Sequence, residues 1–556
     1  MIPHFNEAEQ AVHYPPDRRA AVVIQPYMLW LVGAVLVGAV GLAWGHYLVL
    51  GLPADPSRAF GPGSSAGTPG FPWWANLSHW VNFFFLALII RSGLSILMDH
   101  PRLYWNNSCA PTTEWVRFTP VIVPTDRRWT AKEDARYISP LLGLPGYRHT
   151  IGIARAWHFL TVPFFVLNGV VFAALLFTTD HWRRLVPTTW QVLPDAWRVF
   201  VHYATFHMPL EPNGFYHYNA LQQVSYFSVI FVLAPLAMLT GMAMSPALET
   251  RFPWFPKLFG NRQSARSLHF LVTIAYAVFL VIHVSMIAAT GLVRNMNHIT
   301  LGTDDPGSRL GLALGGGIVL VTVAFAGLAH WLSWHRPRAL QTMHAAVNGP
   351  LWRASLNQLT PRASYRREDI TPYFWSNGTM PTAPEWQQLA ANHFTDYKLK
   401  IGGLVEHPVE LSLAELKGLG LEQNITMHHC IQGWSGIAEW GGIPIQKIVD
   451  LVRPHASVTT VVFHSFGEGL YGGPYYDTNT LENCLKPQAI LAWEMNYEPL
   501  PLDYGAPLRL RVENQLGYKM VKWISRIDFV ETHQTVGMGY GGKNEDEEYF
   551  DLLANT

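Results

Sequence analysis

A chain of 556 residues, with 49% hydrophobic and only 14% charged side chains, is long enough for several domains and too apolar for an ordinary water-soluble enzyme. Its 39 basic and 39 acidic side chains cancel, so nothing points to nucleic acid, or to an acidic ligand drawn in by bulk charge, as a partner. The 3 cysteines, Cys109, Cys430 and Cys484, are far apart and lack CxxC spacing, which argues against a disulfide framework, a zinc site or cysteine-held iron–sulfur clusters but leaves one thiolate able to hold a metal.

Residues 1–25 form a polar tail with His4, Glu7, Glu9, Arg18 and Arg19, and lack the apolar core of an export signal. Crossing a bilayer takes roughly 20 apolar helical residues. Stretches of that length run from Pro26 to Leu52, Leu77 to Met98, Arg155 to Phe177, Asn219 to Ser245, Ser267 to Leu292 and Leu310 to Leu332, so residues 26–335 predict an all-α transmembrane bundle. Lys and Arg concentrate before the first span, in the loop from Arg102 to Arg148, and at Arg251, Lys257 and Arg262. The first and third loops, on the other side, hold only Arg58 and then Arg183, Arg184 and Arg198. That bias predicts a multi-pass protein of a bacterial-type inner membrane, with both termini cytoplasmic.

Histidine inside a span is costly and therefore a functional candidate. His46 and His330 stand near span ends, where an interfacial role is the simpler reading. His269 and His283 differ: their spacing returns to within about 40° of one helix face while rising about 21 Å, so two imidazoles look into the bundle at two depths. His158 opens the third span level with His269, and His79 opens the second level with His283. Each pair could ligate one haem. Arg91, about 18 Å beyond His79 along its helix, reaches the inner level and either meets a haem propionate or snorkels to headgroups.

The runs Leu77-Ser78-His79-Trp80, Arg155-Ala156-Trp157-His158-Phe159, Leu221-Gln222-Gln223, Leu239-Thr240-Gly241 and Arg266-Ser267-Leu268-His269-Phe270 resemble the di-haem cytochrome b subunits of nickel–iron hydrogenases and formate dehydrogenases. The resemblance implies two b haems and exchange of electrons with membrane quinone or quinol. It covers the second to fifth spans and leaves the first and sixth without an assigned role.

After Trp334 an Arg- and Pro-containing connector, residues 336–367, leads to Gly- and Pro-punctuated β-rich runs such as Val461-Val462-Phe463 and Leu508 to Val512. Residues 368–556 therefore predict a separate soluble domain, cytoplasmic if the span count is even. Met427-His428-His429-Cys430-Ile431-Gln432-Gly433-Trp434-Ser435, with Phe374 to Gly378, Leu399 to Val405, Leu491 to Asn496, Gly505 to Leu510 and Gly517 to Ile524, resembles the mixed α+β molybdopterin domain of the sulfite oxidase family. The nearer branch is the bacterial methionine sulfoxide reductases.

The resemblance makes Cys430 the molybdenum ligand and catalytic residue, and a soft thiolate suits that metal. It assigns the pterin to Asn377, Arg509 and the Gly517-Tyr518-Lys519 turn. Arginine and lysine bind phosphate, and glycine permits close backbone approach. Ser376 and Ser435 stand where sulfite oxidases carry arginine, which disfavours an oxyanion pocket of guanidinium pairs, and Tyr504 replaces a cofactor-contacting residue. His428, His429 and Tyr475 are candidate pocket groups.

The expected protein is a six-helix cytochrome b fused to a molybdopterin oxidoreductase domain. It would pass electrons between quinone, two haems and molybdenum for oxygen-atom transfer on a small substrate such as a sulfoxide. Two alternatives are a metal-free docking or sensing module on a haem membrane protein, and a substrate dehydrogenase running in the oxidising direction. Oligomers and additional subunits stay open.

Overall fold

The computed structural model of the chain describes residues 20–54, 70–139, 141–143, 151–207, 214–355, 362–552 and 556. Most of the expected tail, and Arg18, Arg19, Arg58 and Arg148, lie outside the described residues. Among the described residues, six helices are long and apolar enough to cross a membrane: α1 (Pro26–Leu50), α2 (Trp73–Asp99), α3 (Ile151–Thr178), α4 (Ala220–Ala243), α5 (Arg262–Ala289) and α6 (Leu310–His335). Large apolar side chains such as Val281, Leu320 and Val323 point outwards, as lipid contact requires.

Prolines stand inside two of the spans, and each is accompanied by a side-chain bond from a neighbouring helix to a backbone carbonyl. Pro163 in α3 cannot donate to Phe159 O, and Asn348 Nδ2 bonds that carbonyl at 2.9 Å. Pro235 in α4 follows a π-helical stretch, Ser228–Leu233, whose Val229 carbonyl accepts from Tyr276 Oη of α5 at 3.2 Å. The Leu221-Gln222-Gln223 run is structural: Gln222 and Asn219 form a reciprocal cap at the start of α4, and Gln223 Nε2 donates to Arg184 O.

Asn348 belongs to α7 (Pro337–Ser355), so the expected connector contains a helix that packs on α3. At the opposite end of the sequence, β1 (Val23–Ile24), β2 (Arg102–Leu103) and β3 (Val116–Arg117) form a small antiparallel sheet in the order β1-β3-β2.

The C-terminal domain has two sheets. In the first, β4 (Lys398–Gly403), β5 (Val409–Ser412), β8 (Thr460–Glu468), β9 (Pro474–Thr480) and β13 (Ile524–Val530) run in the order β5-β4-β13-β8-β9, with only β13 and β4 parallel. In the second, β6 (Glu422–His429), β7 (Ser435–Pro444), β10 (Ile490–Met495) and β11 (Glu498–Pro499) run β11-β10-β7-β6, and β12 (Arg509–Arg511) adds to β10. Both β-rich runs read from the sequence are strands.

The soluble domain packs directly on the loop after α2. The loop after α2 contributes Tyr104, Cys109, Val123 and Ala131 to the same hydrophobic core as Trp375, Trp434, Trp440 and Phe463. Trp375 Nε1 donates to Cys109 O at 2.8 Å, and Arg128 NH2 donates to Gly378 O at 2.6 Å. Arg102, 1% exposed, fixes this seat. It forks onto Asp134 at 2.8 and 2.9 Å and reaches Glu114 at 2.7 Å. A sequence pattern that reads as a charged, solvated loop is here an internal brace.

Candidate functional site

Cys430 lies in the tight turn between β6 and β7, where Gly433 N donates to Cys430 O and Cys430 N to Trp434 O. Gly433 adopts φ +106°, which favours glycine. The thiol is 5% exposed, and burial pushes it up to about 12. A bound metal would have to displace the proton. Asn377 Nδ2 approaches Cys430 Sγ at 3.5 Å and donates to Gln432 Oε1 at 2.8 Å. Gln432 Nε2 in turn bonds Asp99 O at the end of α2 and Ala131 O in the seat.

Around this turn the domain concentrates positive charge. Arg509 donates to Tyr504 O at 2.8 Å, lies 4.5 Å above the Trp440 ring, and leaves Nε buried without a partner. Arg511 lies 4.3 Å from the same ring, bonds Glu513 through two nitrogens and donates to His428 Nδ1 at 3.0 Å. Lys522 Nζ donates to Asn377 O and to Asp503 O, the latter at 2.7 Å. Burial and the neighbouring Arg509 and Arg128 hold Lys522 well below the ordinary lysine range. Gly505, at φ +120°, is what lets Arg509 and Lys522 approach, because a Cβ there would stand 3.0 Å from Lys522 Cβ and 3.1 Å from Arg509 Cβ. Crowded cations with an unpaired buried donor fit an anionic cofactor phosphate.

Arg128 and Lys522 escaped the sequence reading. Arg128 also bonds Ser376 Oγ at 3.2 Å, so a guanidinium from the loop after α2 reaches the position where sulfite oxidases carry their own arginine. Only tertiary structure shows this, since the two residues are 248 apart. Tyr504 donates to Phe374 O at 2.6 Å and so anchors the loop before Asn377.

The expected pterin turn divides. Gly517 lies against the His428 ring, which a side chain there would strike. Tyr518 Oη instead donates to Asp551 O at 2.5 Å, and Lys519 is enclosed by Asp477, at 2.6 Å, and Glu545. Tyr475 donates to Tyr518 O. His428 is buried and neutral: burial, then Arg511 and Arg509, hold it well below the usual imidazole range.

His429 packs against the membrane half, with Nδ1 3.8 Å from Glu249 Oε2. Burial pushes the Glu249 carboxyl up to about 7, only partly opposed by Arg262. With a folded value above the ordinary 4.5, stability is full below pH 4.5 and is lost as pH rises towards 7, by about 3 kcal/mol in all. The apparent unfolding midpoint of wild type is therefore expected to fall between pH 5 and 8, and Glu249→Gln should flatten that fall when both are followed by thermal scanning.

Within the helices, the His79 and His283 ring centroids lie 6.4 Å apart, at the end remote from the domain. A metal bonded at about 2 Å to one nitrogen of each ring fits that separation. His158 and His269 are each held by a hydroxyl. Ser92 Oγ donates to Leu88 O at 2.8 Å and meets His158 Nδ1 at 3.2 Å, while Thr240 Oγ1 donates to Leu236 O at 2.6 Å and meets His269 Nδ1 at 3.0 Å. A hydroxyl has one proton, and each spends it on the helix carbonyl. Each imidazole must then donate from Nδ1, which leaves the Nε2 lone pair available to iron. Gly93 and Gly241, the next residues, lie directly beside the two rings, where a Cβ would be in ordinary contact with the respective Cε1 atoms at 3.6 and 3.5 Å. The sequence signal was there to be found, a hydroxyl residue followed by glycine inside an apolar run. Arg91, next to Ser92, donates to Gly143 O at 3.2 Å.

A buried thiol turn among cations, joined to spans bearing paired imidazoles, defines a membrane cytochrome b carrying a molybdopterin-binding oxidoreductase domain. Residues 70–302 match the family described as prokaryotic cytochrome b561, and residues 386–536 match the oxidoreductase molybdopterin binding domain. The putative protein-methionine-sulfoxide reductase subunit YedZ1 of Azospira oryzae is 30% identical over 211 residues, 38% of this chain and 73% of that one. The chain accordingly belongs to the prokaryotic cytochrome b561 family and is a multi-pass membrane protein with a molybdopterin-binding domain attached. The protein-methionine-sulfoxide reductase catalytic subunit MsrP of Xanthomonas axonopodis pv. citri is 32% identical over 178 residues, 30% of this chain, and the chain spans 55% of that protein's length. The sulfane dehydrogenase SoxCD of Paracoccus pantotrophus overlaps at a TM-score of 0.23 and 20% identity, covering 26% of this chain and 42% of that one.

Proposed function

We propose that this chain is a quinol-dependent membrane reductase that removes the oxygen atom of a small sulfoxide, which takes up two electrons and two protons and leaves as the thioether and water. One observation carries the reading: the Cys430 turn is hydrogen-bonded, through Gly433 O, to the helix that bears His269. The relatives named for methionine sulfoxide favour the reducing direction.

Cys430 would hold molybdenum, and Asn377, Arg509, Lys522 and Arg128 would bind the pterin and its phosphate. Gly517 lets the backbone approach, while Tyr518 and Lys519 anchor that turn through their own partners. His158 with His269 would hold the inner haem and His79 with His283 the outer one, and Arg91 would supply a cation for a haem carboxylate. Molybdenum when bound supplies two-electron oxygen-atom exchange, and haem iron supplies single-electron carriage.

The Lys and Arg excess supports a cytoplasmic domain, although Arg102, Arg136 and Arg262 of that excess are occupied in internal bonds. C-terminal fusions should fluoresce with green fluorescent protein and be inactive with alkaline phosphatase, and the reverse result would put the domain outside.

Functionally, anaerobic protein whose haems have been reduced with quinol should be reoxidised by methionine sulfoxide, and Cys430→Ala protein should not. Haems that stay reduced with sulfoxides, yet become reduced when sulfite is added to oxidised protein, would reverse the direction.

For the inner haem, Ser92→Ala and Thr240→Ala should each weaken retention by roughly 10–100-fold, the usual cost of losing a partner that orients a metal-bound imidazole. The haem-to-protein ratio after detergent washing reads this directly. Unaltered retention in both variants would remove His158 and His269 from the ligand set.

A further inference from the structure

The first turns of α5 meet the underside of the Cys430 turn. Arg262 NH1 and Gln263 Nε2 both donate to Gly433 O, each at 3.1 Å. One turn further, the Arg266 guanidinium lies under Gly433, where a Cβ would stand 3.5 Å from Nε and 3.7 Å from Cζ. Its terminal nitrogens donate to Arg102 O and His100 O, both at 2.6 Å. Those partners are neutral carbonyls. Arg266 is 9% exposed and, among the described residues, forms no ion pair with a carboxylate. A buried cation without a counter-ion acts over a longer range than one in water, because little dielectric screening opposes it. His269 follows Arg266 by three residues, about 4.5 Å along α5 and on the same side of the helix.

We propose that Arg266 is a positioning residue that couples the two inner redox centres. Its guanidinium supports the Cys430 turn, and its charge raises the reduction potential of both the molybdenum at Cys430 and the haem at His269. Reduction adds negative charge at each centre, and a fixed cation between them stabilises the added electron. The proposal rests on the assignment of Cys430 and His269 as metal ligands.

The test uses full-length, detergent-purified protein of wild type, Arg266→Gln and Arg266→Lys. Haem and molybdenum are quantified first, then titrated by the haem α-band and by the Mo(V) resonance. Arg266→Gln should bind both metals at wild-type stoichiometry, with both midpoints moved to lower potential, and Arg266→Lys should stay close to wild type. Wild-type midpoints in Arg266→Gln would overturn the proposal, as would a Lys variant displaced as far as the Gln variant, since that would show packing and not charge. Should Arg266→Gln fail to fold, Gln263→Glu places an opposing charge beside Gly433 with Arg266 intact; it should lower both midpoints, and unmoved ones would overturn the proposal. Wild-type protein without molybdenum or without inner haem would instead overturn the ligand assignment itself, and this inference with it.

Discussion

Cys430→Ala protein is expected to purify with its haems and without molybdenum, and its sulfoxide-dependent haem reoxidation should drop to background. The thiol lies in the turn among the cations, with Asn377 against it and Gln432 tying it to the seat. Removing a supporting contact of a metal ligand already costs roughly 10–100-fold in affinity, and losing the ligand should cost more. The two other cysteines serve as internal controls. Cys109 and Cys484 are also buried, with burial pushing the Cys109 thiol up to about 11, but neither lies in a glycine-hinged turn, so each Ala variant should keep its molybdenum. Metal analysis of the three variants decides the point. Molybdenum retained by Cys430→Ala would return the domain to the metal-free docking reading.

The second large effect concerns Arg102. Asp134 and Glu114 are both buried against it, and replacing Arg102 by Met leaves Asp134 with no cation and Glu114 with Arg117 alone, at 3.3 Å, in a dry interior. Loss of one partner of a buried ion pair costs roughly 3–5 kcal/mol, and here one partner serves two acids. The domain should therefore loosen from the spans. A protease that leaves wild type intact should cleave Arg102→Met between residues 100 and 136, and haem should remain while molybdenum falls. Neutralising the acids as well, in Arg102→Met/Glu114→Gln/Asp134→Asn, should restore much of the resistance. Equal protease sensitivity of the single and triple variants would show that the loss is one of packing rather than of uncompensated charge.

How much of this was legible in the sequence depends on the range of the signal. The spans were readable because bilayer thickness fixes their length, and the strands because apolar runs sit between glycines and prolines. The spacing of His269 and His283 along one helix foretold two depths, and His79 does come to His283. Helix α7 was missed because its faces are not strongly apolar and its tie, Asn348 to the carbonyl freed by Pro163, is 189 residues distant. Lys519 was assigned by motif to a phosphate, and nothing local announces that Asp477 and Glu545 enclose it. Arg128 and Arg266 read as ordinary loop and helix-start cations. Their roles exist only once the thiol turn is laid on the spans.

The shared core of loop and domain also carries a temporal consequence for a chain made from one end. Trp375 closes on Cys109 across 266 residues, so the half of the core that follows α2 exists long before its complement. At about 5–20 residues per second, that interval lasts roughly 10–50 s. Throughout it, Tyr104, Cys109 and the paired Asp134 and Arg102 wait without the apolar partners that the later residues supply.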